Sequence, residues 1–482
     1  MFALLRNLPP VVERRLSQSH HRPRDQQQNL KDATHLPRVL NASHATAIVV
    51  GTIIGSGIFL VPREMMQAAG SAGLVYLAWI AGGLLTLFGA LTYAELGAAR
   101  PQAGGEYAYL RDAYGDLPAF LYMWTWFAVA KPASIATVTI GITRVLGTFQ
   151  ALAFLQSPIV EGWPLLWAQP VAIACAWLVT GLNVLGVKKA GDFQLVFTWL
   201  KGLLVLAIVG ACFLGGQGSA ANFHAVLPGA VGGFTGFMVA LTATLWAYDG
   251  WNDLSMAAGE VKNPQRSLPL ALVLGVLIVA ALYMATNAAI LYVLPPADMA
   301  ASPRPAVEAM LRSAGPFGAG LVTAAMALSM LVTLNGTVLS GGRIPYAAAR
   351  DGLFFRRMAT VHPRFHSPSV SLLAQAILAT ALLLLSGRFQ ALFELAIFAE
   401  WLFYLLAAST IFVFRRRPGE PPSPYRTPGY PLVPALFVLA AAAVLVYTYA
   451  SNLRHSLAGT GLILAGVPVY WWIRARRRGT AP

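Results

Sequence analysis

Long apolar runs alternate with short polar connections along most of this chain. A helix needs roughly 20 apolar residues to cross a hydrocarbon core about 30 Å thick. The sequence contains about twelve runs of that length, and each predicts one membrane-spanning helix. They cover residues 44–68, 74–98, 117–148, 165–186, 193–215, 234–258, 270–294, 316–341, 369–386, 389–414, 431–451 and 457–473. The pattern therefore predicts an all-α polytopic membrane protein.

Composition and charge support this class and orient the chain. Of the 482 residues, 57% are hydrophobic and 11% are charged, against about 25% charged in soluble domains. If the spans alternate in direction, 26 of the 34 Lys and Arg residues fall in the tails and loops on one side and five on the other. This positive-inside bias predicts a cell (inner) membrane protein with both termini in the cytoplasm. It also argues against a nucleic-acid surface as the reason for the net charge of +15.

The first apolar run is interrupted at its centre. In "VVGTIIGSGIFLVP" (49–62), Gly55, Ser56 and Gly57 lie mid-span, where each Gly costs a helix about 1 kcal/mol relative to Ala. If the helix unwinds there, the freed backbone groups need partners, because lipid offers none. A small ligand with a carboxylate and an ammonium would bind the freed N–H and C=O groups. Close helix packing through small residues is the alternative explanation.

A second interruption lies at the corresponding place in the second half of the chain. The sixth span contains Asp249-Gly250 within "LTATLWAYDGWNDLSMAAGE", beside Trp246, Tyr248 and Trp251. Paired breaks of this kind are typical of the substrate site in transporters built from inverted repeats. The two breaks together predict a secondary transporter that works by alternating access.

Three stretches resemble the amino acid-polyamine-organocation (APC) superfamily, most nearly its L-type amino acid transporter branch. They are "GTIIGSGIF" followed by Pro62, "AYDGWNDLSMAAGEVKNPQRSLPLA" (247–271) and "GGRIPYAAARDGLFF" (341–355). The resemblance extends over about residues 40–450. It implies a 5+5 inverted repeat of the leucine-transporter type with two additional C-terminal helices.

The expected organisation has five parts. They are a disordered cytoplasmic tail (1–40), a first five-helix repeat (41–216), a second, inverted repeat (230–414), helices 11 and 12 (430–473), and a basic cytoplasmic tail (474–482).

The resemblance also implies a pocket for the backbone of an amino acid at the first break. Ile53, Gly55, Ser56 and Gly57 would line it. Amides around Ser56 and Gly57 would bind the α-carboxylate, and the carbonyl of Ile53 would bind the α-ammonium.

At the second break, the resemblance makes Trp246 an aromatic lid, and the carbonyls of Trp246 and Ala247 complete the ammonium site. Asp249 departs from the small residue that L-type transporters usually carry there, so its contact with substrate is an open question. The resemblance places Glu400 near the end of the substrate side chain. A carboxylate there would favour a cationic or polar side chain, or it would pair with another helix.

Two lysines lie within predicted spans. Lys201 stands alone in the fifth span, where an ammonium costs roughly 3 kcal/mol and needs an interior partner. The resemblance places it where sodium-independent members carry an amine in place of sodium, with a freed carbonyl of the first span and Thr337 as expected partners. Burial disfavours its charged form, so it is either a proton carrier or a permanently charged strut. Lys131 is expected to be structural and remote from the breaks.

The favoured function is sodium-independent transport of neutral L-amino acids by exchange or proton coupling. A cationic amino acid or polyamine transporter is the alternative. A membrane-embedded enzyme is a remote one, because the spans hold no metal motif or nucleophile–base pair. No phosphate-binding loop suggests an ATP-driven pump, and no cofactor or metal is expected. The animal L-type transporters join a glycoprotein through a cysteine between spans 3 and 4. Residues 148–163 contain none here, so no disulfide-linked heavy chain is expected.

Overall fold

The computed structural model describes residues 36–162, 165–385, 389–451 and 453–478. Within these ranges the chain is helical, with a few isolated β-bridges and no strand. Most of the predicted N-terminal tail and the end of the C-terminal tail lie outside the described residues. The prediction of an all-α polytopic protein is confirmed at this level.

Nineteen α-helices are numbered below in chain order through the described residues. The first seven are α1 Ala42–Ile53, α2 Gly57–Ala69, α3 Ala72–Ala99, α4 Glu106–Tyr114, α5 Asp116–Thr125, α6 Lys131–Leu146 and α7 Ala168–Val184. The next six are α8 Val187–Leu214, α9 Gly233–Ala247, α10 Asp253–Met256, α11 Pro264–Val293, α12 Pro296–Ala301 and α13 Pro305–Gly341. The last six are α14 Arg343–Arg350, α15 Ser369–Leu384, α16 Phe389–Arg416, α17 Leu432–Ser451, α18 Leu453–Leu464 and α19 Gly466–Arg478.

Helix covers at least part of each of the twelve predicted spans. Within the described ranges, seven continuous helical stretches are long and apolar enough to cross a membrane, or eight if α1 and α2 form one broken span. Three more apolar helices, α7, α9 and α15, are shorter than 18 residues. The structure therefore shows a multi-span membrane protein, and the count of twelve stays a prediction.

The first break lies where Gly55, Ser56 and Gly57 predicted it. Helix α1 ends at Ile53, α2 begins at Gly57, and their axes differ by 43°. The side chain of Asn41 caps α1 by accepting a hydrogen bond from the His44 amide at 3.0 Å, which satisfies one of the free donors at a helix start. The first span is therefore two separate helices, α1 and α2, that meet at an angle.

The second break follows α9. The chain turns at residues 248–252 before the short helix α10, and Gly250 has φ +94°. A Cβ at Gly250 would lie 2.9 Å from Thr52 Cγ2 and 3.3 Å from the Thr52 carbonyl carbon in α1. A Cβ at Gly57 would lie 3.4 Å from Ala247. The two breaks therefore pack directly against each other.

Three buried aromatic rings form a cluster that packs beside the second break. Trp79 of α3 contacts Tyr248 and Tyr283 edge-on, with ring centroids 5.7 and 5.2 Å apart, and Tyr248 lies 5.2 Å from Tyr283. All three side chains are buried. Such pairs add about 0.5–1.5 kcal/mol each beyond the burial of their surface. This cluster holds α3 and α11 against the second break.

Ion pairs connect residues near the ends of several helices. Arg343, which begins α14, makes a fully buried bidentate pair with Glu260, at 2.7 and 3.1 Å. Arg415 of α16 pairs with Glu95 of α3 at 2.7 and 2.8 Å. Removing one partner of a buried pair destabilises a protein by about 3–5 kcal/mol. The Glu260–Arg343 pair therefore fixes the segment that follows the second break.

A substitution at Gly250 tests whether the backbone geometry of the second break is required. We expect Gly250→Ala to lower the melting temperature (Tm) of the purified protein by a few degrees. The positive φ costs an L-residue about 1–3 kcal/mol, and the new methyl group meets Thr52. Gly202→Ala is the matched control, because Gly202 lies inside α8 with open space around it. Equal Tm values for the two variants would contradict the described turn.

Candidate functional site

A cavity of about 140 Å³ lies between the two breaks. All eight residues predicted to bind substrate line it, namely Ile53, Gly55, Ser56, Gly57, Trp246, Ala247, Asp249 and Glu400. The other lining residues are Thr52, Trp126, Ala130, Lys131, Ser134, Val138, Gly250, Asp253, Met330, Thr333 and Thr337. Residues far apart in sequence thus meet at one small space, although whether each contacts substrate stays a prediction.

The N-terminal end of α2 presents free backbone donors to this cavity. In the described part of the chain, the amides of Ser56, Gly57 and Ile58 have no hydrogen-bond acceptor. The first N–H groups of any helix lack intrahelical partners, and α2 is 13 residues long. The aligned peptide dipoles also favour an anion at this end. A carboxylate is therefore the kind of group that this wall of the cavity can bind.

Ile53 and Ala247, which line the same cavity, share one side-chain donor for their carbonyl oxygens. The hydroxyl of Tyr283, in α11, lies 3.0 Å from the Ile53 carbonyl and 2.9 Å from the Ala247 carbonyl. One phenol hydrogen serves two carbonyls, and each carbonyl oxygen has two lone pairs. The Ile53 oxygen also accepts from the Gly55 amide at 2.8 Å, so the Ala247 oxygen is the one with more room for a further hydrogen bond from an ammonium group. The sequence signal for Tyr283 is weak, being one tyrosine in an apolar span that needs a partner when buried.

Lys201 donates hydrogen bonds to carbonyls that the first break leaves without helical partners. Its Nζ donates to the Gly51 carbonyl at 2.8 Å and to the Ile54 carbonyl at 2.6 Å. From α13, Ser329 Oγ also donates to Ile54 at 2.7 Å, and Thr333 Oγ1 lies 3.3 Å from the same oxygen. The lysine is 2% exposed. This side of the break is held by donors from α8 and α13 together.

The expected partnership of Lys201 with Thr337 is not what the structure shows. Thr337 lines the cavity, and within the described part of the chain no hydrogen bond joins it to Lys201. Thr333 and Ser329 lie one and two turns earlier on α13, respectively, and share the carbonyls that Lys201 binds. The sequence prediction found the correct helix but the wrong turn of it.

Lys131 is also placed differently from the prediction. Its Nζ lies 2.5 Å from Asp253 Oδ1, both side chains are buried, and both residues line the cavity. A π-helical turn at Trp126–Ala130 immediately precedes it. The pair places Lys131 beside the second break, whereas the sequence analysis expected it to be remote from both breaks.

A hydrogen-bonded group of carboxyl side chains forms one corner of the cavity. The hydroxyl of Tyr404, in α16, lies 2.8 Å from Asp249 Oδ1, 3.0 Å from Glu400 Oε1 and 3.0 Å from Asn252 Oδ1. Tyr404 and Asn252 are 1% exposed. The sequence analysis singled out Asp249 and Glu400 separately. Their shared partner Tyr404, one turn after Glu400 on α16, was missed.

Trp246 lies at the boundary between this cavity and a second one. It is 42% exposed and also lines a neighbouring cavity of about 340 Å³, together with Glu64, Asp249, Glu400 and Trp401.

The described residues include no group of three His, Cys, Asp or Glu side chains arranged to hold a metal ion. The site is thus built from backbone groups, carboxyls and aromatic rings.

Comparison with known proteins identifies the family of this chain. A family model described as amino acid permease matches residues 40–473. The serine/threonine exchanger SteT of Bacillus subtilis is 32% identical over 445 residues, covering 92% of this chain and 98% of that protein. The human b(0,+)-type amino acid transporter 1 is 32% identical over 409 residues, covering 84% and 81%. The human cystine/glutamate transporter is 30% identical over 444 residues, covering 92% and 86%.

This chain belongs to the amino acid permease family, within the APC superfamily, and resembles its L-type transporters. It is a multi-pass membrane protein that transports amino acids, and its family comprises transporters, not enzymes. The expectations of family, general function and non-enzymatic nature are confirmed.

The Lys131–Asp253 pair generates a prediction about stability. We expect Lys131→Met to lower Tm strongly, because it leaves a buried carboxylate without its cation, a loss on the order of 3–5 kcal/mol. Replacing both partners, as in Lys131→Met with Asp253→Leu, removes the uncompensated charge and should recover much of the loss. Tm measured by fluorescence-detected size-exclusion chromatography checks this. Additive losses in the double variant would show that the two side chains are not paired.

Proposed function

We propose that this protein exchanges neutral L-amino acids across the cell membrane by sodium-independent alternating access. One observation carries the proposal. Ser56 and Gly57, whose amides have no acceptor in the described part of the chain, line the same 140 Å³ cavity as Ile53 and Ala247, whose carbonyls share the single hydrogen of Tyr283. An amino acid backbone presents a carboxylate and an ammonium a few bonds apart, and this cavity offers a complementary group for each.

In the proposed pose, the α-carboxylate binds the amides of Ser56 and Gly57. The α-ammonium binds the carbonyl of Ile53 and those of Trp246 and Ala247 at the second break. The substrate side chain then extends toward Asp249 and Glu400, and Trp246 covers it. Because both breaks contribute to one ligand, binding links the first and sixth spans.

The proposed architecture has twelve spans, arranged as two inverted five-helix repeats (41–216 and 230–414) followed by two further helices (430–473). Support comes from the family match over residues 40–473 and from the direct contact between the two breaks. The bias of Lys and Arg toward one set of loops supports an inner-membrane location with cytoplasmic termini. No disulfide-linked heavy chain is proposed, because residues 148–163 contain no cysteine.

Lys201 supports sodium independence. Its ammonium already donates to the Gly51 and Ile54 carbonyls, which are the kind of oxygen ligands that a small cation would otherwise bind. We propose that Lys201 is a fixed charged strut and not the proton carrier. An amine held by two buried carbonyls at 2.8 and 2.6 Å, with Ser329 sharing one of them, is tied firmly in place.

A cationic amino acid or a polyamine is the second candidate substrate class. The cavity lining includes three carboxyl groups, from Asp249, Asp253 and Glu400, against the single cation of Lys131. Excess negative charge in a site shielded from water favours a positively charged ligand side chain.

Ligand-induced stabilisation separates these candidates. We expect neutral L-amino acids to raise the Tm of the purified protein, since a ligand at 100 times its Kd stabilises the folded state by about 2.7 kcal/mol. The matching amines without a carboxylate should not raise it, because they cannot use the Ser56 and Gly57 amides. Results should be the same in NaCl and in KCl.

Two glycine variants supply the control. Gly57→Val would place a branched side chain against Ala247, where even a Cβ lies at 3.4 Å, and should abolish the ligand-induced rise. Gly210→Val, in open space on α8, should retain it. Stabilisation by polyamines or arginine alone would replace the neutral assignment with the cationic one.

A further inference from the structure

A small basic cavity lies apart from the substrate site, where α3, α16 and the connection from α16 to α17 meet. We call residues 417–431, which form that connection, the strap. The cavity has a volume of about 130 Å³, enough for several water molecules or one small oxyanion. Its charged lining residues are Glu95, Arg100, Arg415, Arg417, Glu420 and Arg426. Four arginines thus share this space with two glutamates.

The strap is held against α3 and forms a fixed wall of the cavity. The Thr427 amide donates to Glu95 Oε2 at 2.6 Å, and Thr427 Oγ1 donates to the Leu91 carbonyl at 3.0 Å. The Ser423 hydroxyl donates to the Glu95 carbonyl at 3.2 Å. Six prolines lie within the strap, and each fixes its own φ angle. The arginines of this cavity are therefore carried by a rigid frame.

Two of the arginines are neutralised by the two glutamates. Arg415 of α16 binds Glu95 through two hydrogen bonds, at 2.7 and 2.8 Å. Arg100, which directly follows α3, binds Glu420 of the strap. These pairs link both helices and the strap, and they leave the other two arginines without a glutamate of their own.

Arg417 and Arg426 keep most of their hydrogen-bond donors. Arg417 donates to the Asp112 carbonyl at 2.7 Å and lies 4.0 Å from Glu420. Within the described part of the chain, the Arg426 side chain makes no hydrogen bond or ion pair. Each guanidinium has five N–H groups in a flat fork, and both side chains are exposed. They can therefore bind a further acceptor without breaking an existing pair.

The balance of charge indicates an anion with about one negative charge. Helices α3 and α16 both end at this cavity, and each C-terminal helix end contributes about half a negative charge. Asp112 on the adjoining α4 is already held by Arg100 and Arg111, at 3.3 and 2.8 Å. Arg417 and Arg426 thus exceed the helix-end charge by about one positive charge. A phosphate diester carries one negative charge, and guanidinium groups match phosphate oxygens in geometry as well as in charge.

We propose that this cavity binds the phosphate group of an anionic ligand, with Arg417 and Arg426 as its principal donors. In the orientation proposed above, the cavity lies at the cytoplasmic surface. Basic pockets between membrane helices on that side bind the head groups of anionic lipids, and soluble phosphate esters offer the same chemistry. The inference goes beyond the proposed function, because it does not depend on what the carrier transports.

A ligand at this position would connect two helices that reach the substrate site. Helix α16 carries Glu400, which lines the substrate cavity, and α3 carries Trp79, which packs on Tyr248 at the second break. A bound phosphate would join the strap to the ends of both helices. Its binding should therefore stabilise the folded protein against heat.

Thermal stability measures this binding in the intact protein. Purified full-length protein in a neutral detergent is titrated with inorganic phosphate, against NaCl at equal ionic strength. It is also titrated with dihexanoyl phosphatidylglycerol, against dihexanoyl phosphatidylcholine, whose head group has no net charge. We expect Tm to rise with a phosphate-bearing anion and with neither control, since a ligand that binds only the folded state stabilises it.

Substitutions identify the donors. Arg426→Gln should leave Tm without ligand near the wild-type value, because the side chain has no partner to lose within the described chain. It should raise the ligand concentration for a half-maximal rise in Tm by about tenfold, the usual effect of losing a charged hydrogen bond. Arg417→Gln is the second variant and should act in the same direction. Arg416→Gln is the matched control, because it removes the same charge from the exposed end of α16 outside the cavity, and it should change that concentration by less than about twofold.

The outcomes separate the ligands and test the site. A rise in Tm with phosphatidylglycerol alone identifies a lipid head group as the ligand, and a rise with inorganic phosphate identifies a soluble phosphate. No rise with either anion would overturn the proposal, and so would equal losses of affinity in Arg426→Gln and Arg416→Gln. Because these measurements involve no transport, such a result would leave the proposed amino acid exchange intact.

Discussion

The unwound backbone of the first span is the constraint on which the rest of the structure depends. Lipid offers no hydrogen bonds, so every polar group freed between Ile53 and Gly57 needs a partner within the protein or its ligand. The freed carbonyls have partners supplied by three helices. Lys201 of α8, Ser329 of α13 and Tyr283 of α11 each donate to the carbonyls of residues 51–54. The first break is thus the point at which α8, α11 and α13 all form hydrogen bonds with the first span.

At this break the freed carbonyls have hydrogen-bond donors within the protein, whereas some freed amides have no acceptor, and this difference leaves a place for a ligand. The carbonyls are supplied with donors, whereas the amides of Ser56 and Gly57, two residues that line the cavity, have no acceptor in the described part of the chain. A substrate carboxylate would complete the arrangement. The second break, held against the first by close contact at Gly250, adds the carbonyl of Ala247 to the same space. Binding one small molecule therefore requires both breaks to be in register.

The sequence alone predicts the two breaks, but it does not predict the side chains that hydrogen-bond beside them. Gly55–Gly57 and Asp249-Gly250 violate the apolar pattern locally, so both breaks could be located before the fold was known. The resemblance to the L-type transporters, and not the pattern, supplied Ile53, Trp246, Ala247 and Glu400 as candidate substrate residues. Tyr283 and Tyr404 leave no such mark, because a single tyrosine in an apolar span is common. Lys131 was expected to be remote from the breaks, because its local sequence does not show that its partner is Asp253, directly after the second break.

An experimental structure with a bound neutral L-amino acid is the most direct test of the central claim. Single-particle cryo-electron microscopy or crystallography at a resolution that orients the ligand would suffice. The account predicts the α-carboxylate within about 3 Å of the Ser56 and Gly57 amides and the α-ammonium at the carbonyls of Ile53 and Ala247. A ligand whose carboxylate pairs with Lys131 instead, leaving the Ser56 and Gly57 amides without an anion, would contradict it.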